Sequence, residues 1–233
     1  MKPQTKGRIP LNRTRVLVEG VACADAGRLE GLSMRHLADR LGVVPMALYK
    51  HVASKEELID GMIDVVIGEI APPLIGIDWR TAVRTRILSA REALLRHPWT
   101  SRAMESRSTP TPAVLAYMDS MIGMFLAGGF SVDLTHHCMH ALGSRMFGFS
   151  QELYTGSQGG TPSAEQARQL ALLFPNIAAI ATVAVHDDGT IVGPGCDDRF
   201  EFEFALDLVL DGFELLRERD WQSADRRTGL YAA

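Results

Sequence analysis

Cysteine is scarce and unpatterned in this chain. Its 233 residues hold three, Cys23, Cys138 and Cys196, widely separated and with no Cys-x-x-Cys pair. That excludes a disulfide framework and a zinc ribbon, and it leads us to expect a reduced, cytoplasmic protein. Long apolar runs are missing too. The longest stretches, such as 177–185, fall far short of the roughly 20 residues that a membrane span needs, so no membrane role is expected. The first ten residues are polar and basic without an apolar run behind them, unlike a secretory leader. No nucleophile–base pair and no carboxylate pair stands out. The glycine-rich segment Gly156-Ser157-Gln158-Gly159-Gly160-Thr161 lacks the lysine and the preceding strand of a phosphate-binding loop, and reads as a linker. Strand signals are few. The expectation is an all-α protein that is not an enzyme and carries no cofactor.

Charge is unevenly spread. The chain is acidic overall, with a formal net charge of −4, which argues against a general nucleic-acid coat. Its first 55 residues, however, hold ten Lys and Arg against four Asp and Glu, roughly +6, and so the remainder carries about −10. A basic end on an acidic body is the footprint of a small DNA-binding head attached to something else.

Within that end, Leu32 to Val52 reads as two short helices joined by a tight turn. Met34, Leu37, Ala38 and Leu41 fall at i, i+3, i+4 and i+7, forming one apolar stripe. Ser33 stands where a side chain can accept from an orphan amide at a helix start, and Gly42 where a helix stop needs positive φ. Pro45 suits the first turn of a second helix, because its missing N–H would be unpaired there anyway. Leu48 and Val52 would then face inward. Ser54-Lys55-Glu56-Glu57 is a capping-box signature that announces a further helix, continued by Leu58, Ile59, Met62, Val65 and Val66. Two helices and a turn in this order form a helix-turn-helix, which lays its second helix in the major groove. On this reading Ser33 and Val44 belong to the DNA-binding set with Arg35, Tyr49, Lys50, His51 and Lys55, the last five contacting phosphates, and Tyr49 also fits core-side packing. Pro45, Met46 and Ala47, with Lys50, approach base edges; Met46 and Ala47 suit thymine methyls and Lys50 suits guanine O6 or N7.

Gly31-Leu32-Ser33-Met34-Arg35, Leu37-Ala38, Leu41-Gly42-Val43, Ala47-Leu48-Tyr49-Lys50-His51-Val52 and Lys55-Glu56-Glu57-Leu58 together resemble the N-terminal domain of the tetracycline repressor (TetR) family. The likeness spans about residues 9–70, leaving 71–220 as a ligand-binding and dimerisation domain. It implies an all-helical homodimer that binds a palindromic operator in double-stranded DNA and releases it when a small-molecule effector enters the C-terminal domain. Many members of the family carry Ser or Thr where Val44 stands. Val44 cannot cap the recognition helix through its side chain.

Helical spacing continues beyond the head. Ala71-Pro72-Pro73 ends the fourth helix, and further helices are expected from Trp79 to Arg96, around Thr100 to Glu105 and up to Ala127, where Gly128-Gly129 stops the helix. Others follow from Asp133 to Tyr154, from Ala164 to Thr182 with a break at Pro175, and from Asp197 to Arg219. In the last of these Phe200, Phe204, Leu206, Leu208, Val209, Leu210, Phe213, Leu215 and Leu216 wrap more than half the circumference. A helix so apolar needs cover on several sides. With the Asp133 helix it would build a four-helix bundle across a two-fold axis; burial inside one subunit would produce the same pattern.

A looser likeness covers the C-terminal domain of the tetracycline repressor itself, through Trp79, Arg91-Glu92-Ala93-Leu94-Leu95-Arg96, Gly129-Phe130-Ser131 and Phe147-Gly148. It implies a ligand tunnel whose walls include Arg86, Trp99, Met104, Met121, Phe125, His136, Met139, His140 and Phe147. Such a lining suits an apolar or amphipathic organic molecule, with Arg86 or His140 fixing a polar group. Met104 stands where the tetracycline repressor holds the drug's magnesium with a histidine, and a thioether is a poor ligand for a hard cation. Glu152 alone cannot rebuild that site. Two other readings remain open at this stage: a metal-sensing regulator using His136 and His140, which are four apart on one helix face, and a constitutive regulator or activator with a vestigial pocket.

Overall fold

A computed structural model describes residues 10–27, 29–148, 164–176, 178–179 and 198–224, and among them no strand occurs. The helices are α1 (Arg13–Gly27), α2 (Met34–Leu41), α3 (Pro45–Leu48), α4 (Lys55–Ile67), α5 (Trp79–Arg96), α6 (Trp99–Glu105), α7 (Pro112–Ala127), α8 (Val132–Gly148), α9 (Ala164–Leu173) and α10 (Asp198–Glu218). A short 3₁₀ turn, Leu29–Gly31, links α1 to α2. The chain divides into two compact units. One holds the described residues up to 139 together with 220–224, the other those from 140 to 219.

In the first unit α1 lies against α4, with Val16, Leu17 and Val21 on one side and Leu58, Met62, Ile63 and Val66 on the other, all buried. Burying each such side chain contributes about 1.5–3 kcal/mol. Two glycines make room for side chains of the facing helix. A Cβ on Gly61 would fall 2.6 Å from Leu17 Cδ2, and one on Gly20 would fall 2.9 Å from Met62 Sδ.

The long helices begin and end where short-range chemistry dictates. Asp78 caps α5 by accepting from Thr81 N at 2.9 Å. Thr111 is the N-cap of α7, with Pro112 in its first turn. At the far end of α7, Gly129 adopts φ 84°, and Phe130 N–H returns to Phe125 O at 3.2 Å. That left-handed stop turns Phe130 back against its own helix. Phe130 then packs edge-on to Trp79 of α5 and to Phe125 of α7, at centroid separations of 4.6 and 5.1 Å. This aromatic trio pins α5, α7 and the start of α8.

Of the expected helices, Trp79–Arg96 and the stop at Ala127 are reproduced to the residue. The Asp133 helix starts one residue earlier and is described only to Gly148; its expected continuation to Tyr154 and the loop after it lie outside the described residues. The expected 164–182 helix is described as α9 to Leu173, ahead of Pro175. Cys23 and Cys138 are buried and unpaired, and burial pushes the Cys138 thiol up to about 12; Cys196 lies outside the described residues. Among those residues no helix is long and apolar enough to cross a membrane.

Candidate nucleic-acid interface

The α2–α3 pair is built by its caps. Ser33 is extended, at φ −130° and ψ 152°, and its Oγ accepts from His36 N at 3.1 Å. Ser33 therefore serves as the N-cap of α2. Gly42 closes that helix at φ 68°; its N–H reaches Asp39 O at 3.2 Å and the Val43 N–H reaches Ala38 O at 3.0 Å. This paired closure reverses the chain within two residues, and an L side chain at Gly42 would be strained. Leu37, Ala38 and Leu41 point into the core with Leu48 and Val52, as their spacing requires.

The second helix is shorter than a full recognition helix. Val44 makes no side-chain cap bond, and α3 is a single turn from Pro45 to Leu48. Tyr49, Lys50 and His51 continue it as a hydrogen-bonded turn, with His51 N and Val52 N both returning to Leu48 O, at 2.8 and 3.0 Å. The missing cap and the length agree, since an uncapped helix of one turn has little to hold it. Around this turn Val44 is 67% exposed, Met46 72% and Tyr49 45%. Arg35, Pro45 and Lys50 are exposed as well, while Ala47, His51 and Lys55 are half-buried. Large apolar side chains standing in solvent beside cations are unusual on a free surface, and they suit the mixed edge of a base-pair step.

Two further groups hold this turn: Glu57, which the capping-box pattern named, and Arg13, which the sequence reading missed. Arg13 Nη1 donates to His51 O at 2.8 Å and to Glu57 Oε1 at 2.6 Å. Glu57 Oε2 accepts from Ala53 N at 2.6 Å, while Ser54 Oγ accepts from Glu57 N at 3.1 Å. The Ser54 half of the capping box thus forms, while the Glu57 carboxylate reaches one residue further back than the pattern implies and is shared with Arg13. The Ala53 bond, then Arg13, hold the Glu57 carboxyl below its ordinary value. Arg13 lies 38 residues from His51, so no local pattern connects them.

The residues expected along a ligand tunnel are spread over several environments. Phe125 and Met121 are buried, the former in the aromatic trio. Arg86 is also buried. Nη1 donates to Ala71 O, Nη2 donates to Ser120 Oγ at 3.0 Å, and the guanidinium lies 5.0 Å over the Tyr117 ring. Its Nε finds no partner among the described residues. Desolvation lowers the Arg86 pKa, and burial raises the Tyr117 phenol to about 12. Trp99 is buried but donates its indole N–H to Asp25 of α1, at 2.7 Å. Met104 lines a cavity of about 140 Å³ with Ile63, Arg107, Thr109, Pro110, Thr111 and Val114, none of which the sequence singled out. Met139 is half-buried, His136 and His140 are exposed, and the Phe147 side chain lies outside the described set.

His137 Nε2 lies 3.8 Å from Asp133 Oδ1, and its ring stands edge-on to Trp221 at 5.3 Å. Among the described residues no three His, Cys, Asp or Glu side chains group in a way that holds a metal ion, so the metal-sensing alternative gains no support.

Residues 72–217 match the family model described as tetracyclin repressor-like, C-terminal domain. The chain is a TetR-family transcriptional regulator. Among curated TetR-like relatives, an HTH-type transcriptional regulator of Saccharopolyspora erythraea is 31% identical over 128 residues, spanning 54% of either chain. The HTH-type transcriptional repressor DrrR1 of Streptomyces coeruleorubidus is 28% identical over 225 residues, covering 92% of this chain and 82% of that one. Among solved structures, apo ActR from Streptomyces coelicolor superposes with a TM-score of 0.68 at 25% identity, over 91% of this chain and 99% of that chain. ActR has also been solved in complex with actinorhodin, with a TM-score of 0.64 at the same 25% identity over 89% and 98%. The all-α architecture, with a helix-turn-helix head ahead of a TetR-type C-terminal domain, follows from these likenesses and from the helices described above.

Proposed function

We propose that this TetR-family protein is a repressor that binds a palindromic operator as a homodimer and releases it when a small apolar or amphipathic molecule enters the C-terminal domain. The observation that carries the reading is the exposed group Val44, Met46 and Tyr49 beside Lys50, on a turn fixed by Ser33, Gly42 and Arg13. Met46 and Ala47 meet thymine methyls, Lys50 meets a guanine or a phosphate, and Arg35 and Lys55 hold the backbone.

Two features support pairing and release. Phe200, Phe204, Leu208 and Leu215 form an exposed apolar stripe along one face of α10, 44–61% accessible. A second copy would cover such a stripe, and two heads are what a palindrome requires. For the effector, Arg86 offers a buried guanidinium whose Nε has no partner among the described residues, beside the Tyr117 ring. That combination suits an aromatic molecule carrying an acidic oxygen, and ActR has been solved with actinorhodin.

Selection from random DNA, followed by gel shift, tests the reading. Wild type should enrich an inverted repeat, Tyr49→Ala/Lys50→Ala should lose binding while remaining dimeric by light scattering, and actinorhodin supplies a first effector to titrate. Unchanged affinity in the double variant would sink the assignment.

A further inference from the structure

A cluster of charged side chains ties the head to the corner between α5 and α6, and none of its members belongs to the DNA face. His97 occupies that corner and is buried, at 8% exposure. Its Nδ1 lies 2.9 and 3.0 Å from the two carboxylate oxygens of Asp25, in the last turn of α1. Its Nε2 lies 3.2 and 3.3 Å from the two oxygens of Glu69, just beyond the end of α4. The ring is therefore strung between two head helices, held at opposite nitrogens. An imidazole carrying both protons donates to both carboxylates at once, and one carrying a single proton serves only one of them.

Neighbouring groups fix each end. Trp99 Nε1 donates to Asp25 Oδ1 at 2.7 Å, and the indole lies 6.5 Å from the His97 ring. Arg96 donates to Glu69 Oε2 at 2.8 Å. Burial pushes the Glu69 carboxyl up, but Arg96 and His97 outweigh it and hold the group below its ordinary value. A more exposed bridge, Arg102 to Glu30 at 3.1 Å, runs alongside between α6 and the 3₁₀ turn.

We propose that the Asp25–His97–Glu69 clasp sets the angle at which the head leaves the C-terminal domain, and so the half-site spacing that the dimer accepts. His97 and Trp99 are then positioning residues for operator choice. The inference rests on the operator reading above and goes beyond it. One attachment would leave the head free to pivot. Attachments to the ends of both α1 and α4 resist rotation as well as translation. Adding one base pair between half-sites moves the second site by about 3.4 Å and turns it by about 35°. A head held at a fixed angle discriminates against that change, and a pivoting head absorbs it.

The test uses the full chain and its selected operator, together with copies carrying one base pair inserted or removed at the centre. Wild type should bind the altered spacings about tenfold or more weakly, and in His97→Phe the gap should shrink to within about threefold. His97→Phe keeps a ring against Trp99 and loses both carboxylate bonds. Asp25→Asn, which retains the shape of the clasp and removes one charge, gives a second reading if the first variant folds poorly, and should narrow the gap in the same direction. A merely structural role predicts equal loss at every spacing with discrimination intact, and that result overturns the proposal. A chain that enriches no paired sites overturns the operator reading and this inference with it. Paired-site binding with undiminished spacing preference in both variants overturns the clasp alone.

Discussion

Arg13 in the first turn of α1 donates to the backbone carbonyl of His51 at 2.8 Å, so the first helix of the head grips the far end of the recognition turn. Because the same guanidinium is also paired with Glu57, its charge is spent inside the head. Arg13→Ala should weaken operator binding without altering its salt dependence, whereas Lys50→Ala should reduce the log–log salt slope by about one. Fluorescence anisotropy over a range of salt concentrations separates the two. The Arg13–Glu57 pair is exposed on both sides, so the melting temperature should hardly move.

Ser33 and Val44 occupy equivalent positions ahead of the two helices of the motif, and only Ser33 caps. Ser33→Ala should cost about 1 kcal/mol, and Val44→Ser should add about 0.5–1 kcal/mol by giving α3 the acceptor it lacks. Urea denaturation checks both signs. Val44 already has the extended backbone of an N-cap, at φ −81° and ψ 148°, so no rearrangement is required. If Val44→Ser leaves the midpoint unchanged, the single turn of α3 is held by packing alone.

Two glycines of neighbouring sequence should respond in opposite ways to alanine. A Cβ on Gly128 would fall 2.5 Å from Trp79 Cβ and 2.8 Å from Trp79 Cγ, close to the backbone of α5, where little can yield. Gly128→Ala should destabilise the protein by about 1–3 kcal/mol. Gly123 lies inside α7 with open space around its Cα, and Gly123→Ala should stabilise by about 0.5–1 kcal/mol through helix propensity. Calorimetry on the pair gives the comparison.

Acid should loosen the segment after α10. Asp133 accepts from Ser223 N at 2.6 Å and from Ser223 Oγ at 2.9 Å. These bonds, the backbone one first, hold its carboxyl below the ordinary aspartate value. A depressed folded-state pKa gives stability that is fully present above the unfolded value, about 3.9, and is lost as pH falls through the folded one. Asp133→Asn should therefore be less stable than wild type at pH 7, and the gap should begin to close only as pH falls below about 4. A constant gap down to low pH in denaturant titrations would contradict this.

Local chemistry was readable and distant chemistry was not. The ends of α5 and α7 followed from His97-Pro98 and Gly128-Gly129, each acting within a few residues of its effect. The caps of α2 and α4 were legible for the same reason. The shortness of α3 was only half visible, because Val44 announces a missing cap but not how soon the turn opens. The grip of Arg13 and the clasp at His97 join residues 38 and 72 positions apart. Arginine and histidine at those positions fit many surface roles, and only the fold says which. Trp99 illustrates the difference. Its composition suits a ligand wall, yet its one polar atom is committed to Asp25.

The crossing of α1 over α4 has a mechanical consequence. Gly20 and Gly61 leave the notches that the Met62 and Leu17 side chains fill, and a methyl group at either position would displace them. Helices in such contact cannot slide or roll past each other without opening a void or a collision. Leu17 seated over Gly61 and Met62 seated over Gly20 therefore key α1 to α4 at two points. The register of the two helices is thus set by two residues with no side chain at all.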